Sequence, residues 1–255
     1  MSAPSYLATT AGRRIAYHAR PAAGETAARP GVVFLTGFRS DMNGTKAQWL
    51  DAWAAERGRA FLRFDYSGHG ESDGAFEDGA IGDWAEDAAE AVASLTTGPQ
   101  ILVGSSMGGW IALLIARRVP ERIAGLVGIA AAPDFTEDSM WAGFDAAQRA
   151  ALDRDGRVLV PSDYGEPLAI TRRLIGDGRA HLVLRAPLDL PFPVRLLHGS
   201  ADADVPVERG LALLAHMSCP DARLTVVKDA DHRFSGEAEL GLIAGAIEEV
   251  ERAAG

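Results

Sequence analysis

The sequence predicts an α/β protein built on a mostly parallel, doubly wound sheet. Short apolar segments alternate with amphipathic stretches along most of the chain, which is the pattern of strands joined by helices that cover both faces of a sheet. Right-handed crossovers would connect these strands into one sheet. With 255 residues, of which 47% are hydrophobic, the chain can bury one substantial core, so we expect a single domain with an insertion.

The individual elements follow from residue spacing. Continuous apolar runs predict buried strands, whereas apolar residues three and four positions apart predict helices that pack one face on the sheet. The helical period is clearest on a face made of Ile81, Trp84, Ala88, Val92 and Leu95. The predicted strands are 32–38, 60–66, 101–106, 125–132, 194–199 and 223–229, and the other predicted helices are 46–57, 107–118 and about 240–253.

The alternation fails over residues 134–193. Helix-like pieces at 146–154 and 168–175 lie among Pro and Gly there, and no strand pattern of comparable strength occurs. So long a segment between two core strands is usually a functional element, such as a lid over a site. We therefore predict a core formed by residues 1–133 and 194–255, with 134–193 as an inserted cap.

Three apolar side chains mark the start of this insertion. Met140, Trp141 and Phe144 lie one and three positions apart. They either line a pocket for an apolar part of a substrate or simply pack the insertion against the core. The sequence alone leaves both interpretations open.

Charge and composition restrict the partners and the compartment. A formal net charge of −10 opposes nucleic acid and anionic membrane surfaces as partners. The one cysteine, Cys219, excludes an intramolecular disulfide and favours a reducing compartment; before Pro220 we expect a packed or surface thiol, not a nucleophile. The amino terminus lacks the apolar region of a signal peptide, and no segment approaches the roughly 18 apolar residues of a membrane span. We predict a soluble cytoplasmic protein.

The stretch ILVGSSMGGW, residues 101–110, contains a candidate nucleophile. The frame Gly-x-Ser-x-Gly fits in one way only, with Gly104 and Gly108 on either side of Ser106, and Ser105 does not satisfy it. In this frame the chain leaves a buried strand, turns sharply at the serine and enters a helix, which exposes the serine side chain. An ordinary turn rich in Gly and Ser would have the same sequence, so the motif needs partners.

A serine becomes nucleophilic when a base takes its proton and a carboxylate orients that base. On an open parallel sheet both partners are expected later in the chain, acid before histidine, in loops at the carboxyl ends of strands. The loop SADADVP supplies Asp202 and Asp204, and His232 follows the last predicted strand. By position alone, either aspartate fits. Four other histidines do not combine a late position in the chain with a loop after a strand. They are His18, His69, His181 and His198.

Longer blocks carry a resemblance to a known family. HGSADADVP resembles the acid loop of the α/β-hydrolase superfamily, in which the first aspartate belongs to the catalytic triad, so the resemblance selects Asp202. Further blocks resemble one branch of this superfamily, the branch that contains the mitochondrial palmitoyl-protein thioesterase and mycophenolic acid acyl-glucuronide esterase. These blocks are MNGTKA (42–47), RFDYSGHGESDG (63–74), GPQILVGSSMGGW (98–110), RLLHG (195–199) and DHR (231–233). Within the insertion only PSDY, residues 161–164, is similar to that branch.

The resemblance implies an α/β-hydrolase fold with an inserted lid. It implies a serine hydrolase that cleaves acyl esters or thioesters through an acyl-enzyme, with Ser106, Asp202 and His232 as the triad. The substrate would be an acylated or small molecule, and we expect no cofactor or metal, because the sequence has no ligand cluster and GSSMGG lacks the lysine of a phosphate-binding loop. No Arg- and Ser-rich transit extension precedes the first strand, so we expect a cytoplasmic relative. A non-catalytic ligand-binding homologue and a serine peptidase of the same fold remain as alternatives.

Two backbone N–H groups should stabilise the oxyanion of such an enzyme, each contributing about 3 kcal/mol to transition-state stabilisation. One is Met107, directly after the serine at the start of a helix. The resemblance points to Phe38 as the other donor. Many members of the superfamily carry His-Gly before that donor, whereas this chain carries Thr36 and Gly37; because the donor is main chain, this difference does not remove it.

Overall fold

The computed structural model describes residues 3–161 and 167–254, so Ser162, Asp163 and Tyr164 of the PSDY match lie outside the described residues. The strands are β1 (Ser5–Ala8), β2 (Arg14–Arg20), β3 (Gly31–Leu35), β4 (Phe61–Phe64), β5 (Gln100–Ser105), β6 (Ile123–Ile129), β7 (Arg157–Val160), β8 (Leu168–Thr171), β9 (Leu188–Asp189), β10 (Val194–Gly199), β11 (Met217–Ser218) and β12 (Ala222–Val227). The α-helices are α1 (Thr45–Glu56), α2 (Ile81–Leu95), α3 (Met107–Arg118), α4 (Ala146–Asp155), α5 (Arg172–Ala180), α6 (Val207–His216) and α7 (Glu237–Ala254).

One sheet of eight strands runs through the molecule in the order β1-β2-β4-β3-β5-β6-β10-β12. From β4 to β12 every neighbouring pair is parallel, so the prediction of a mostly parallel sheet is confirmed. All residues of β3, β5 and β10 are buried, as expected when helices cover both faces. The carboxyl ends of β3, β5, β6, β10 and β12 therefore meet at one edge.

Alternate residues of the strands enter two separate cores. Val33 and Leu35 of β3 belong to the larger core, which also contains Trp84 of α2 and Trp110 of α3. The intervening residues, among them Phe34, pack with α1 and α7 on the other face. This division is the period of two that a strand imposes on its side chains. The sheet is thus covered on both sides, as the doubly wound prediction requires.

The amino-terminal hairpin of β1 and β2 was not among the predicted elements. Its strands pair antiparallel with each other, and β2 pairs antiparallel with β4. Within β2, Ile15 and Ala16 are fully buried. Gly12, with φ +79, provides the turn, and Thr9 N–H donates to the Arg13 carbonyl across it at 2.8 Å. Only two of the seven residues of β2 are buried, which is why its apolar pattern is weak in the sequence.

Residues 134–193 form mixed structure between β6 and β10. The piece predicted as helix-like at 146–154 is α4, but the prediction for 168–175 is wrong in its first half. Residues 168–171 are β8, which pairs antiparallel with β7, and α5 begins only at Arg172, where the Thr171 hydroxyl accepts the Leu174 N–H at 3.1 Å. Strands of four residues are too short to show a reliable period, and Ile170 and Thr171 are β-branched residues that favour a strand.

The insertion is fastened to the core by hydrogen bonds. Trp110 Nε1–H in α3 donates to the His181 carbonyl at 3.1 Å, and Gly82 N–H in α2 donates to the Asp177 carboxylate at 2.7 Å. Predicted boundaries elsewhere differ by a few residues, since strands 32–38 and 60–66 end earlier than expected, at Leu35 and Phe64. None of the described helices combines the length and the apolarity needed to cross a bilayer.

Candidate active site

Ser106 occupies the turn between β5 and α3. Its backbone has φ 52 and ψ −118, a left-handed conformation that is strained for a residue with a side chain. The turn is fixed by main-chain bonds, because Ser106 N–H donates to Ile129 O at 2.9 Å and Ser106 O accepts from Ala132 N–H at 3.1 Å. The Ser106 side chain is partly exposed, whereas Ser105 is buried.

The glycines of the motif are required by close packing. A Cβ atom on Gly108 would lie 2.1 Å from the Leu35 carbonyl oxygen, and one on Gly104 would lie 2.4 Å from the Gly108 carbonyl oxygen. Neither position accommodates a side chain, because the start of α3 crosses directly over the ends of β3 and β5. The sequence pattern therefore has a steric cause in this fold.

Asp202 and His232 meet at the same edge of the sheet. His232 Nδ1 lies 2.8 Å from Asp202 Oδ2, and Asp202 Oδ1 accepts the N–H groups of Asp204 at 3.0 Å and Val205 at 2.8 Å. The Asp202 side chain is fully buried, while that of His232 is 19% exposed. A proton on Nδ1 directed at the carboxylate leaves Nε2 free to accept a proton. Asp202 is thus the carboxylate within hydrogen-bond distance of the imidazole Nδ1.

The environment of Asp202 keeps it ionised. Burial alone would raise its pKa, but the hydrogen bonds from His232 and from Val205 N–H outweigh burial and lower the pKa below the ordinary aspartate value. The Asp202, Asp204 and His232 ligand atoms lie within 4.8 Å of one another, a spacing that also suits a metal ion. Both Asp202 oxygens, however, already accept hydrogen bonds, which favours the role of orienting carboxylate. The absence of a cofactor remains a prediction.

Ser106 and His232 are brought to one edge but are not directly joined. Within residues 3–161 and 167–254, no hydrogen bond connects Ser106 Oγ to the imidazole. Catalytic hydrogen bonds of this type are often long before a substrate binds. The three loops follow β5, β10 and β12, which lie within four neighbouring strands in the order β5-β6-β10-β12.

Two neighbouring residues were missed from the sequence. His198, fully buried in β10, has its Nε2 atom 2.8 Å from the Val205 carbonyl and 3.5 Å from Asp202 Oδ2. Lys46, in the first turn of α1, donates from Nζ to the Arg233 carbonyl. Burial lowers the pKa of Lys46 to about 8, against the attraction of Asp231. Lys46 lies in the MNGTKA block that carries part of the family resemblance, so this block could have indicated it.

The loop after β3 passes beside the serine. A Cβ atom on Gly37 would lie 3.4 Å from Ser106 Cβ. Ser40 N–H donates to the Gly37 carbonyl at 3.1 Å, which closes a four-residue turn with Arg39 at φ 55. The main-chain N–H groups of Phe38 and Met107 donate to no other residue that the structure describes. Both amides are therefore available to an oxyanion at this position.

The Phe38 ring belongs to an aromatic cluster. Its centroid lies 4.9 Å from Phe76, 5.4 Å from Phe135 and 5.9 Å from Trp84, all edge-to-face. Phe38, Phe76 and Phe135 are partly exposed, whereas Trp84 is fully buried. We call Phe38, Phe76 and Phe135 the aromatic shelf. Sequence reasoning missed it because its members come from three separate loops.

The predicted pocket residues of the insertion have different surroundings. Phe144 is 8% exposed and belongs to the larger core, and Met140 is partly buried against it. The Trp141 ring lies 4.6 Å from the Arg179 guanidinium and 5.0 Å from that of Arg149. That these three residues bind substrate therefore remains a prediction, and local packing already accounts for much of their surface.

Strained backbone is concentrated around this site. The six described non-glycine residues with positive φ all lie in loops that follow the carboxyl ends of strands. They are Arg39 after β3, Ser106 after β5, Ala130 and Asp134 after β6, and Asp229 and Phe234 after β12. Residues in such conformations are found mainly at functional sites.

The cytoplasmic location predicted from the sequence is not supported by the similar proteins. The chain is 35% identical over 223 residues to the palmitoyl-protein thioesterase ABHD10 of Rattus norvegicus, an alignment that covers 87% of this chain and 75% of the relative. That relative is named as mitochondrial. A cytoplasmic location for the present chain thus stays a prediction.

Solved structures and a family model agree on the fold. A crystal structure of an assumed hydrolase from Agrobacterium vitis S4 superposes with a TM-score of 0.93 at 40% identity, over 97% of this chain and 98% of that chain. The α/β-hydrolase domain-containing protein 10 from mouse superposes with a TM-score of 0.87 at 32% identity, again over 97% and 98% of the two chains. The model of the α/β-hydrolase family matches residues 32–242. The chain belongs to the α/β-hydrolase family.

Proposed function

We propose that this protein is a serine hydrolase that cleaves acyl esters or thioesters through an acyl-enzyme on Ser106. The observation that carries the proposal is the Asp202–His232 pair at 2.8 Å, with a buried, ionised carboxylate, on the sheet edge that holds Ser106. Folding alone does not require these three residue types in three adjacent loops. The name of the thioesterase relative, which describes a protein acting on acylated substrates, supports the same reaction class.

The proposed reaction has two halves. Ser106 Oγ attacks the acyl carbon while His232 Nε2 takes the hydroxyl proton, and the negative carbonyl oxygen is held by the N–H groups of Phe38 and Met107. The C–O or C–S bond then breaks, and the leaving group departs with the proton from His232. Water attacks the acyl-enzyme with His232 again as base, which releases the carboxylic acid and restores Ser106. Asp202 keeps the imidazole in the required tautomer throughout.

The inserted segment 134–193 is proposed to act as a lid over this edge. It leaves the core directly after β6, beside the Ala132 N–H that binds the Ser106 carbonyl. A lid of this kind would limit access of water and define which acyl groups enter. No change of the triad is needed for different leaving groups, so the lid and the loops at the sheet edge would determine substrate choice.

Labelling with a fluorophosphonate, followed by peptide mass mapping, tests the nucleophile. We expect modification on Ser106 and a loss of turnover of about 10⁴-fold or more in Ser106→Ala with p-nitrophenyl and S-acyl substrates. Ser105→Ala is the matched control, because Ser105 is adjacent but buried, and it should keep turnover within a few-fold. Labelling at Ser105, or full activity in Ser106→Ala, would refute the assignment. Failure of wild-type protein to be labelled or to turn over any ester, thioester or peptide would favour the non-catalytic homologue.

A further inference from the structure

Arg39 has an unusual backbone for an exposed charged residue. It follows Phe38 in the turn after β3 and has φ 55. Non-glycine residues adopt this conformation infrequently, and Asn and Asp are the ones that tolerate it best. The hydrogen bond from Ser40 N–H to the Gly37 carbonyl at 3.1 Å closes this turn, which places the Arg39 backbone next to the predicted oxyanion donor Phe38.

The Arg39 guanidinium is not neutralised by a nearby acid. It lies 5.6 Å from the centroid of Phe76, and no carboxylate among the described residues forms an ion pair with it. Other arginines of the chain are paired, since Arg13 binds Asp87 at 2.6 Å and Arg14 binds Asp73 at 3.0 Å. In a chain with a net charge of −10, an unpaired cation at the sheet edge provides a local attraction for anions.

The Arg39 guanidinium and the aromatic shelf form one chain of contacts. Arg39 lies against Phe76, Phe76 contacts Phe38 at 4.9 Å, and Phe38 contacts Phe135 at 5.4 Å. The shelf begins beside Ser106, because Gly37 is in near contact with the serine. It therefore offers an apolar surface close to the nucleophile and a cation on Phe76 farther along.

We propose that Arg39 and the aromatic shelf form a binding site for esters in which an apolar half ends in a carboxylate. The apolar part would lie along Phe38 and Phe76, and the guanidinium would bind the carboxylate through paired N–H donors, which is the geometry that arginine provides and lysine does not. The inference rests on the proposed esterase function, since it assigns the substrate class of that same site.

Matched pairs of substrates test the charge requirement. In the first pair, p-nitrophenyl hexanoate is compared with the p-nitrophenyl monoester of adipic acid, which carries a carboxylate at the end of an acyl chain of the same length. In the second pair, phenyl hexanoate is compared with 4-carboxyphenyl hexanoate, which carries the carboxylate on the leaving group. The measured quantity is the ratio of kcat/KM for the anionic ester to kcat/KM for its neutral partner, and the two pairs show which half of the ester reaches Arg39.

Arg39→Asn removes the charge in a residue that tolerates the left-handed backbone, and Arg39→Lys keeps the charge but loses the paired donors. We expect the ratio to fall at least tenfold in Arg39→Asn for one substrate pair, with a smaller fall in Arg39→Lys. Arg118→Asn, an exposed position in the last turn of α3, changes the net charge equally and should leave the ratio as in wild type. A ratio within twofold of wild type for both pairs in Arg39→Asn overturns the proposal.

Binding without turnover separates this proposal from the proposed function. Calorimetric titration of Ser106→Ala with monomethyl adipate should give a dissociation constant at least tenfold lower than titration of Ser106→Ala/Arg39→Asn, and added salt should reduce the difference. This result would support the site even if wild-type protein hydrolysed none of the esters. If both monomethyl adipate and 4-carboxyphenyl hexanoate bind equally well to the two proteins, the site is overturned even if Ser106 proves to be the nucleophile.

Discussion

The sheet edge that carries the candidate triad and the insertion at 134–193 differ in how exposed their stabilising contacts are. Behind the edge, β3, β5 and β10 are buried along their whole length. The insertion also buries apolar side chains such as Leu174 and Val183 in the larger core, but it adds partly exposed ion pairs, including the Arg179–Glu137 pair at 2.6 Å and the pair of Arg185 with Asp138. Such partly exposed ion pairs contribute only about 0–1 kcal/mol each. The proposed chemistry thus lies in the more deeply buried region, and the proposed substrate selection in the region with more exposed contacts.

One carboxyl in the insertion is an exception to this contrast. Asp134 is fully buried at the first residue of the segment and accepts the N–H groups of Val183 at 2.8 Å and Leu184 at 3.0 Å. Burial raises the pKa of Asp134, although those two hydrogen bonds and Arg185 oppose the rise. It connects the first residue of the insertion to residues 183–184, so it can help to hold the segment in place.

The largest effect is expected at the edge itself. Asp202→Asn should reduce kcat by about 10⁴-fold, because an amide in that position stabilises the wrong tautomer of the imidazole. Asp204→Asn, two residues away in the same loop, should keep kcat within tenfold. Steady-state kinetics on one p-nitrophenyl ester would measure both. Equal losses would mean that the loop, not one carboxylate, is required, and a loss confined to Asp204→Asn would reverse the assignment.

A smaller effect is expected from Lys46, which connects the first turn of α1 to the loop that carries His232. Lys46→Met should lower kcat about tenfold with little change in KM, because the Arg233 carbonyl, one residue beyond His232, loses its donor. Lys46→Arg should recover part of the loss. Since the pKa of Lys46 is lowered to about 8, wild-type kcat should fall as the pH rises through 8, when the charged donor is lost, and this fall should be absent in Lys46→Met.

A change in KM together with an unchanged pH profile in Lys46→Met would show that the lysine has no part in positioning the histidine loop. The residues required for catalysis at the sheet edge would then be those of the proposed triad.

The smallest effect on catalysis is expected from the insertion. Asp134→Asn keeps a side chain that tolerates φ 59 but accepts only one of the two N–H groups, which should destabilise the segment by about 1–3 kcal/mol. We expect faster proteolysis within 134–193 and a change of two- to threefold in KM, with kcat preserved. Asp138→Asn, which disrupts only partly exposed pairs, is the control. If the two variants are cleaved equally fast, Asp134 is not the anchor.

The sequence predicted those parts in which a single local pattern is decisive. Buried strands such as β5 and the glycines around Ser106 follow from continuous apolar residues and from steric need, so both were found. The choice of Asp202 required the resemblance, because residue spacing alone fits two aspartates. The hairpin of β7 and β8 escaped, since four-residue strands have no measurable period. Lys46 and the aromatic shelf were missed because their contacts depend on loops that are distant in the chain.

The left-handed residues at the sheet edge have a consequence for engineering. Each costs of the order of 1–3 kcal/mol in the folded chain, so a laboratory screen for thermostable variants would tend to select glycine where little side-chain packing is lost, at positions such as Ala130 and the exposed Asp229. Glycine would relieve the strain and at the same time give the loops more than one conformation. Heat resistance gained in this way would be obtained at the expense of turnover, so a stabilising library should leave these turns unaltered and concentrate on the helix surfaces.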